Sequence, residues 1–300
     1  MSSAESVAVV HPVKVGGLDS ARERLARWAH EAGVPTPHVV GTTADSPGTE
    51  QARAAVEAGA DLVLAWGGDG TVTATAAGLV GTDVPLGILP GGTGNLLARN
   101  LGLPLDEADA AAIAFGGADR RIDTLDIGLG GRSELGTVIA GMGLDAALID
   151  APEGLKDAIG PGAYVVNAVR AFRHRTMRVG VAVDDGLPRW FHARSVIVAN
   201  VGGLIAGLDV APEADASDGT LHVVVLPLAT PADWVRTGVR LVSRRQVDDA
   251  SRTHMSGRSA WIVARTEQPR QVDGDLVGDG RVIQARVRPA SLLVRVPAGG

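Results

Sequence analysis

Cysteine is absent from the 300 residues. The chain can therefore form neither a disulfide nor a thiolate metal site, and a reducing cytoplasm is the expected compartment. Aromatic residues make up only 3%, so a core must be built mainly from Val, Leu, Ile and Ala. Lysine is nearly missing: Lys14 and Lys156 are the only two, and almost all positive charge is arginine. There is no surplus of positive charge either. A formal net charge of −6 argues against nucleic acid as the main partner, because phosphate binding over a broad surface needs a basic face. No basic-then-apolar leader pattern opens the chain. No apolar run reaches the ~20 residues of a membrane span; the longest, Val196 to Ala211, is interrupted by Asn200, Asp209 and glycines. Any lipid would have to be met at a membrane surface.

Several chemistries are excluded by missing motifs. No G-x-x-x-x-G-K-[ST] is present, so the chain is not a P-loop NTPase. The first strand is not followed by the G-x-G-x-x-G dinucleotide spacing. No H-E-x-x-H or H-x-x-x-H pair exists for a metal, and no G-x-S-x-G hydrolase elbow.

What is present is organised in two parts. Three hundred residues suffice for two domains. Up to about residue 121, short apolar runs alternate with segments of helical spacing. Val7 to Val10 reads as a strand. A helix follows, capped by Asp19 or Ser20, with Ala21, Leu25, Trp28 and Ala32 on one face and Gly33 at its stop. Val39-Val40, Leu62 to Trp66 and residues 85–89 read as further strands, with helices over Glu50 to Ala58, Val72 to Leu79, Leu96 to Asn100 and Leu105 to Phe115. Such alternation predicts a parallel sheet with right-handed crossovers. From Ile122 onward the pattern turns β-rich: Thr137 to Ala140, Met177 to Val183, Ser195 to Val201, Leu221 to Leu226, Trp261 to Ala264, Val282 to Val287 and Leu292 to Val296. Two helical segments, Gly162 to Phe172 and Pro231 to Arg245, interrupt it. The expectation is an α/β, Rossmann-like nucleotide-binding domain over 1–121 and a β-sandwich domain over 122–300, with the active site in the cleft between them.

Two strands end in glycine clusters. Asp61 to Trp66 feeds Gly67-Gly68-Asp69-Gly70-Thr71, and Pro85 to Leu89 feeds Pro90-Gly91-Gly92-Thr93-Gly94-Asn95. The carboxyl edge of a parallel sheet is where such folds bind ligands. Glycine permits close backbone approach and φ > 0, so N–H groups can close around phosphate oxygens. Thr71 and Thr93 add hydroxyls, and a helix N-terminus follows each loop. Asp69 would repel a bare phosphate; an acid there makes sense with a divalent cation between.

These two loops resemble the catalytic domain of the diacylglycerol kinase family, which includes bacterial lipid kinases and the sphingosine and ceramide kinases. NAD kinases and phosphofructokinases belong to the wider superfamily. The resemblance runs from Val7 to Val296. It implies an ATP-dependent lipid kinase using Mg²⁺, cytoplasmic or peripheral at the inner membrane surface, with which a homodimer is compatible. By resemblance, Gly67 to Thr71 hold the nucleotide phosphates and Asp69 organises magnesium, directly or through water. Gly92, Thr93 and Asn95 belong to the same nucleotide site. Thr42 or Thr43 matches a nucleotide-contacting threonine, though a plain loop threonine explains either.

Near the C-terminus, Gln271-Val272-Asp273-Gly274-Asp275 matches the family's Asp-Gly-Glu turn with Asp275 in place of Glu, which assigns Asp275 as general base; a simple hairpin turn is the alternative. Ala211 to Leu221 resembles a segment that holds a structural magnesium, implying Asp215 and Asp218 as ligands, against an acidic turn without metal. Gly141 to Ala146 resembles G-x-G-x-D-A, and Asp126 a junction motif. Leu96 stands where bacterial members often have an acid, and His11 replaces an Asn of N-P-x-S-G; Lys14 nearby could reach phosphate. Arg99 could face phosphate or join a surface ion pair. Arg170, Arg173, His174, Arg175 and Arg178 form a basic cluster, and Arg236, Arg240 and Arg244 line one helical face. Either could meet anionic lipid or be an ordinary solvated face. The competing functions are an NAD kinase-like enzyme on a soluble nucleotide, and a nucleotide- or lipid-binding protein whose chemistry has lapsed.

Overall fold

The computed structural model describes residues 5–143, 176–202, 204–205, 208–209, 211–227 and 253–298. The expected helices Gly162 to Phe172 and Pro231 to Arg245, the basic residues Arg170, Arg173, His174, Arg175, Arg236, Arg240 and Arg244, and the end of the Gly141 to Ala146 motif lie outside them. Chain packing divides into two compact units, Met1–Thr124 with Pro289–Gly300, and Leu125–Arg288.

In the first unit, strand and helix alternate: β1 (Ser6–Val10), α1 (Leu18–Ala32), β2 (His38–Gly41), α2 (Thr49–Glu57), β3 (Leu62–Gly67), α3 (Asp69–Leu79), β4 (Leu86–Pro90), α4 (Leu96–Asn100) and α5 (Glu107–Gly116). The four strands are parallel in the order β2–β1–β3–β4. Every residue of β3 and of β4 is buried, as expected of central strands covered on both faces, whose sequence is a continuous apolar run rather than an alternation. Helix α1 buries Ala21, Leu25, Trp28 and Ala29, and ends at Gly33, whose left-handed φ of 69° lets its N–H reach the Ala29 and His30 carbonyls. Asp19 lies inside the first turn and pairs with Arg22 instead of capping; Gly17 holds the N-cap position. Trp28 packs on Trp66 with ring centroids 5.2 Å apart. With so few aromatics, these two rings supply a large share of the bulk beneath α1, beside Leu25, Leu64 and Leu89.

The second unit is β-rich. β5 (Ala118–Gly128) carries the chain into it. There follow β6 (Ser133–Gly136), β7 (Ile139–Gly143), β8 (Met177–Val183), β9 (Arg189–Ala193), β10 (Ser195–Ala199), β11 (Leu204–Ile205), β12 (Leu208–Asp209), β13 (Leu221–Leu226), β14 (Thr253–Gly257), β15 (Ser259–Val272) and β16 (Asp275–Val296). Antiparallel neighbours run β14–β13–β10–β7–β15–β16, with β8 also on β15 and β9 on β8. The core is Leu, Val, Ile, Ala and Met throughout, including Leu125, Met142, Val179, Val198, Val223 and Ile262.

β15 leaves β8 and joins β7 across an irregular stretch between Val263 and Gln271. Such a break leaves carbonyls without ladder partners. The buried guanidinium of Arg270 supplies the donors, reaching the carbonyls of Leu129, Gly278, Asp279 and Val282 at 2.8–3.2 Å. Burial, and then neighbouring Arg132, lower the pKa of this guanidinium.

β5, β6, β9 and β14 have no counterpart in the sequence reading, and two further features differ from it. Val282 to Val287 and Leu292 to Val296 are one strand, β16, and its last part pairs with β4 of the first unit through Val294 and Leu86. Residues 289–300 thus belong to the first unit, whereas the sequence assigns all of 122–300 to the second. A strand's pattern says that it pairs, not which sheet takes it. Helix α3 begins at Asp69 rather than Val72, because Gly68 already accepts the first intrahelical bond, from Val72 N–H at 3.1 Å.

Candidate functional site

The two glycine loops leave adjacent parallel strands, β3 and β4, at the same edge, and Gly91 N–H donates to the Gly67 carbonyl at 2.8 Å. The loops then pack backbone on backbone. A Cβ on Gly92 would sit 2.7 Å from Gly68 Cα, and one on Gly94 would sit 2.6 Å from Asp69 Oδ2. None of Gly67, Gly68, Gly91, Gly92 and Gly94 has a positive φ. The expectation that these glycines serve φ > 0 is corrected here: Gly67, Gly92 and Gly94 are required for contact, not for conformation.

Asp69 is the bridge. It is the first residue of α3, yet its carboxylate accepts the backbone N–H of Asn95 (2.9 Å) and of Leu96 (2.5 Å), at the start of α4. Asn95, at φ 48°, turns its own amide back on the loop: Oδ1 accepts Gly92 N–H at 3.0 Å and Nδ2 donates to the Gly92 carbonyl at 2.8 Å. Arg99 donates to the Gly94 carbonyl at 2.8 Å, so its guanidinium also ties the loop. Thr71 is buried, with its side chain directly beneath Gly67, while Thr93 is exposed at the loop tip. The N–H groups of Asp69, Gly70 and Thr71 fall in the first helical turn, where the helix itself supplies no acceptor, and the helix dipole favours an anion.

Thr42 and Thr43 lie at the carboxyl end of β2. Thr42 is buried, its N–H bonded to the Val10 carbonyl; Thr43 is exposed and closes a turn with Ser46. A groove of ≈ 570 Å³ in the same unit is lined by Lys14, Arg24, Arg27, Trp28, the loop residues Pro90 to Gly92, and residues 105–108. Lys14 thus shares a groove with the second glycine loop. The sequence reading missed one part of it. Glu107 accepts Arg24 Nη2 at 2.6 Å and Trp66 Nε1 at 3.1 Å, and the Arg24 guanidinium lies 4.2 Å from the Trp66 ring. Trp66 directly before the glycine loop was the available signal; nothing local marks Glu107, which is 41 residues away.

In the second unit, Asp273 and Gly274 form a two-residue hairpin turn, both with positive φ (49° and 90°), between paired Val272 and Asp275. Asp273 is buried. Its carboxylate accepts Thr137 N–H and Oγ1 (2.7 and 2.8 Å), Val138 N–H (2.8 Å) and Ile139 N–H (3.0 Å). Its role is to lock the hairpin, and Asp275 is the exposed acid that the hairpin presents.

At the 211–221 turn, Asp218 Oδ1 accepts the N–H (2.7 Å) and hydroxyl (2.6 Å) of Thr220, and Oδ2 faces Asp215 N–H (3.3 Å) and His222 Nε2 (3.4 Å). Burial raises its pKa, but the bonds from Thr220, Asp215 and His222 outweigh that and hold it below the usual carboxylate range. Asp215 accepts Ser217 N–H at 2.8 Å. These hydrogen bonds close the turn, and no group of three His, Asp or Glu converges as a metal set among the described residues. Asp126 pairs with Arg288 at 2.9 Å. No helix among the described residues is long and apolar enough to cross a membrane.

Residues 7–127 match the diacylglycerol kinase catalytic domain, and residues 136–296 match the YegS C-terminal NAD kinase beta sandwich-like domain. A diacylglycerol kinase of Mycobacterium tuberculosis is 32% identical over 234 residues, spanning 73% of this chain and 72% of that protein. An uncharacterized Synechocystis protein is 27% identical over 248 residues, 80% of this chain but 55% of its own length. The crystal structure of a diacylglycerol kinase from Bacillus anthracis superposes with a TM-score of 0.73 at 20% identity, over 99% of this chain and 98% of that one. An Archaeoglobus fulgidus NAD kinase in complex with ATP superposes with a TM-score of 0.53 at 14% identity, over 97% and 93%. At such identities the solved structures show a shared fold; the domain matches and the mycobacterial relative show the family. The chain belongs to the diacylglycerol kinase catalytic-domain family.

Proposed function

We propose that the protein is a lipid kinase that transfers the γ-phosphoryl group of ATP to the hydroxyl of diacylglycerol or a related lipid. The observation that carries this reading is the interlocked pair of glycine loops, held by Asp69 at the carboxyl ends of two adjacent parallel strands. Phosphoryl transfer demands positioning and charge neutralisation more than covalent chemistry. The first-turn N–H groups of α3 and the hydroxyl of Thr93 suit the phosphates, and Lys14 adds a cation in the groove beside Gly91 and Gly92. Mg²⁺ would arrive with the nucleotide. The Asp69 carboxylate, which also accepts the Asn95 and Leu96 N–H groups, would be its protein partner, since Mg²⁺ keeps waters and substrate phosphates as its other ligands. Thr71 and Asn95 shape the loops from behind, and Thr42 or Thr43 would contact the nucleotide.

Asp275 would take the proton from the lipid hydroxyl as its oxygen bonds to the γ-phosphorus and ADP leaves. Relative to Glu, its side chain is shorter by one methylene, and the Asp273 lock limits how far the hairpin can drift to make up the difference. The test is transfer of ³²P from γ-labelled ATP, with Mg²⁺, onto a panel of lipid extracts and onto NAD. A labelled lipid is expected and names the acceptor. Labelled NADP would instead favour a soluble-nucleotide kinase. No labelled product, with ATP binding confirmed, would favour a binding protein without turnover.

A further inference from the structure

The chain has five tryptophans. Trp28 and Trp66 are in the core of the first unit, while Trp190 and Trp261 are 48% and 40% exposed in the second. Strand register puts the exposed pair on one side of the sheet. Trp190 is opposite Gly180, Val263 is opposite the same Gly180, and Trp261 is opposite Ala182 on β8. Residues 180 and 182 share a face by the two-residue period of a strand. The opposite face, with Val179, Val181 and Ile262, is the buried core.

The Trp190 indole lies flat across Gly180: a Cβ there would meet three ring atoms at 3.3–3.4 Å. The guanidinium groups of Arg178 and Arg265 stand 5.3 and 5.8 Å from the same ring. Arg286 follows on β16, two residues beyond Gln284, which faces Trp261. None of these three arginines forms an ion pair among the described residues. Asp184, at the adjoining turn, has its carboxylate turned to the N–H groups of Arg258 and Ser259, and the next turn residue but two, Leu187, is fully exposed.

We infer that this sheet face, Trp190 and Trp261 with Arg178, Arg265 and Arg286, docks on an anionic phospholipid bilayer. Indole rings favour the boundary between apolar chains and water. Guanidinium groups, planar and weakly hydrated, match lipid phosphates. These five residues carry three positive charges on a chain of net charge −6, so an anionic surface would attract them while repelling the chain as a whole. A second copy is a poor occupant. Two-fold pairing would set three unpaired arginines against three more and desolvate them. The inference deepens the lipid-kinase reading, and rests on it only for the reason a bilayer is met.

The test is co-sedimentation of the full chain, without ATP, with sucrose-loaded vesicles of phosphatidylcholine alone or with an equal amount of phosphatidylglycerol. Binding to the mixed vesicles, weakened by salt, is expected. The double variants Trp190→Ser/Trp261→Ser and Arg178→Gln/Arg265→Gln should each bind about tenfold more weakly or worse, with unchanged circular dichroism. Absence of binding to mixed vesicles would overturn the inference. So would equal binding by wild type and the arginine variant, or a wild-type dimer that the tryptophan variant abolishes in sedimentation velocity. Kinase assay on detergent-dispersed lipid separates the two readings: vesicle binding without labelled lipid leaves the docking face standing and removes the lipid-kinase assignment.

Discussion

Asp69 and Leu96 are 27 residues apart in sequence, yet the Asp69 carboxylate accepts the Leu96 N–H at 2.5 Å. A residue at the start of one helix caps the start of another. This contact, with its partner at Asn95, joins the two glycine loops into one unit. Asp69→Asn keeps the size but puts an NH₂ against one of the two N–H donors that the carboxylate accepts. It should still fold, lose about 1–3 kcal/mol of stability, and lose about 100-fold or more of phosphoryl transfer. Thermal melts and ³²P transfer on the same preparation check both. A folded variant with near-normal turnover would remove Asp69 from the mechanism.

Gly92 and Gly68 make a sharper geometric test. Gly92→Ala adds a carbon 2.7 Å from Gly68 Cα, whereas Gly68→Ala adds one 3.6 Å from its nearest neighbour, Gly92 Cα. Gly92→Ala should push the loops apart and weaken ATP binding about tenfold or more, and Gly68→Ala should do much less. Calorimetric titration with ATP distinguishes them. Equal effects would mean that the loops do not work as a packed pair.

Asp275 and Asp273 are two residues apart and should fail differently. Asp275→Asn should abolish transfer while costing less stability than Asp273→Asn, and Asp275→Glu should keep much of the rate. Asp273→Asn sets an NH₂ against two of the four buried donors that the carboxylate accepts and should cost about 2–4 kcal/mol. Chemical denaturation separates the pair; a marked loss of stability in Asp275→Asn would make that residue structural.

Asp218 gives a pH prediction. Its carboxyl is held below the usual range by its hydrogen bonds. A depressed native pKa gives stability that is present above the unfolded value, about 4, and lost as pH falls through the lower native value. Asp218→Asn should therefore lower stability at neutral pH and lessen the fall on acidification. Melts from neutral pH down into the acid range test this, and adding Mg²⁺ or EDTA should leave the wild-type melt unchanged. A Mg²⁺-dependent rise would return the ion to this turn.

Much of the site was legible because its signals are local. Each glycine cluster follows directly on an apolar strand, and the alternation around them implies a parallel sheet with both loops at one edge. The Asp273-Gly274 turn could likewise be read from two residues. What escaped was set by partners distant in sequence: Glu107 reaching Arg24 and Trp66, Asp273 closing on Thr137 to Ile139, and β16 returning to pair with β4. Trp190 and Trp261 were individually unremarkable, 71 positions apart by their numbers, until strand register put them on one face.

The sequence alone determined the order of elements in the first unit, the α/β-then-β plan and the position of the glycine loops. Backbone preference and hydrophobic period act over a few residues, and those features need nothing more. Tertiary structure decided what each glycine is for, which carboxylate locks and which is presented, and which side of a sheet carries tryptophan and arginine. These depend on side chains meeting across tens of residues, and their free energy appears only once the intervening chain is folded.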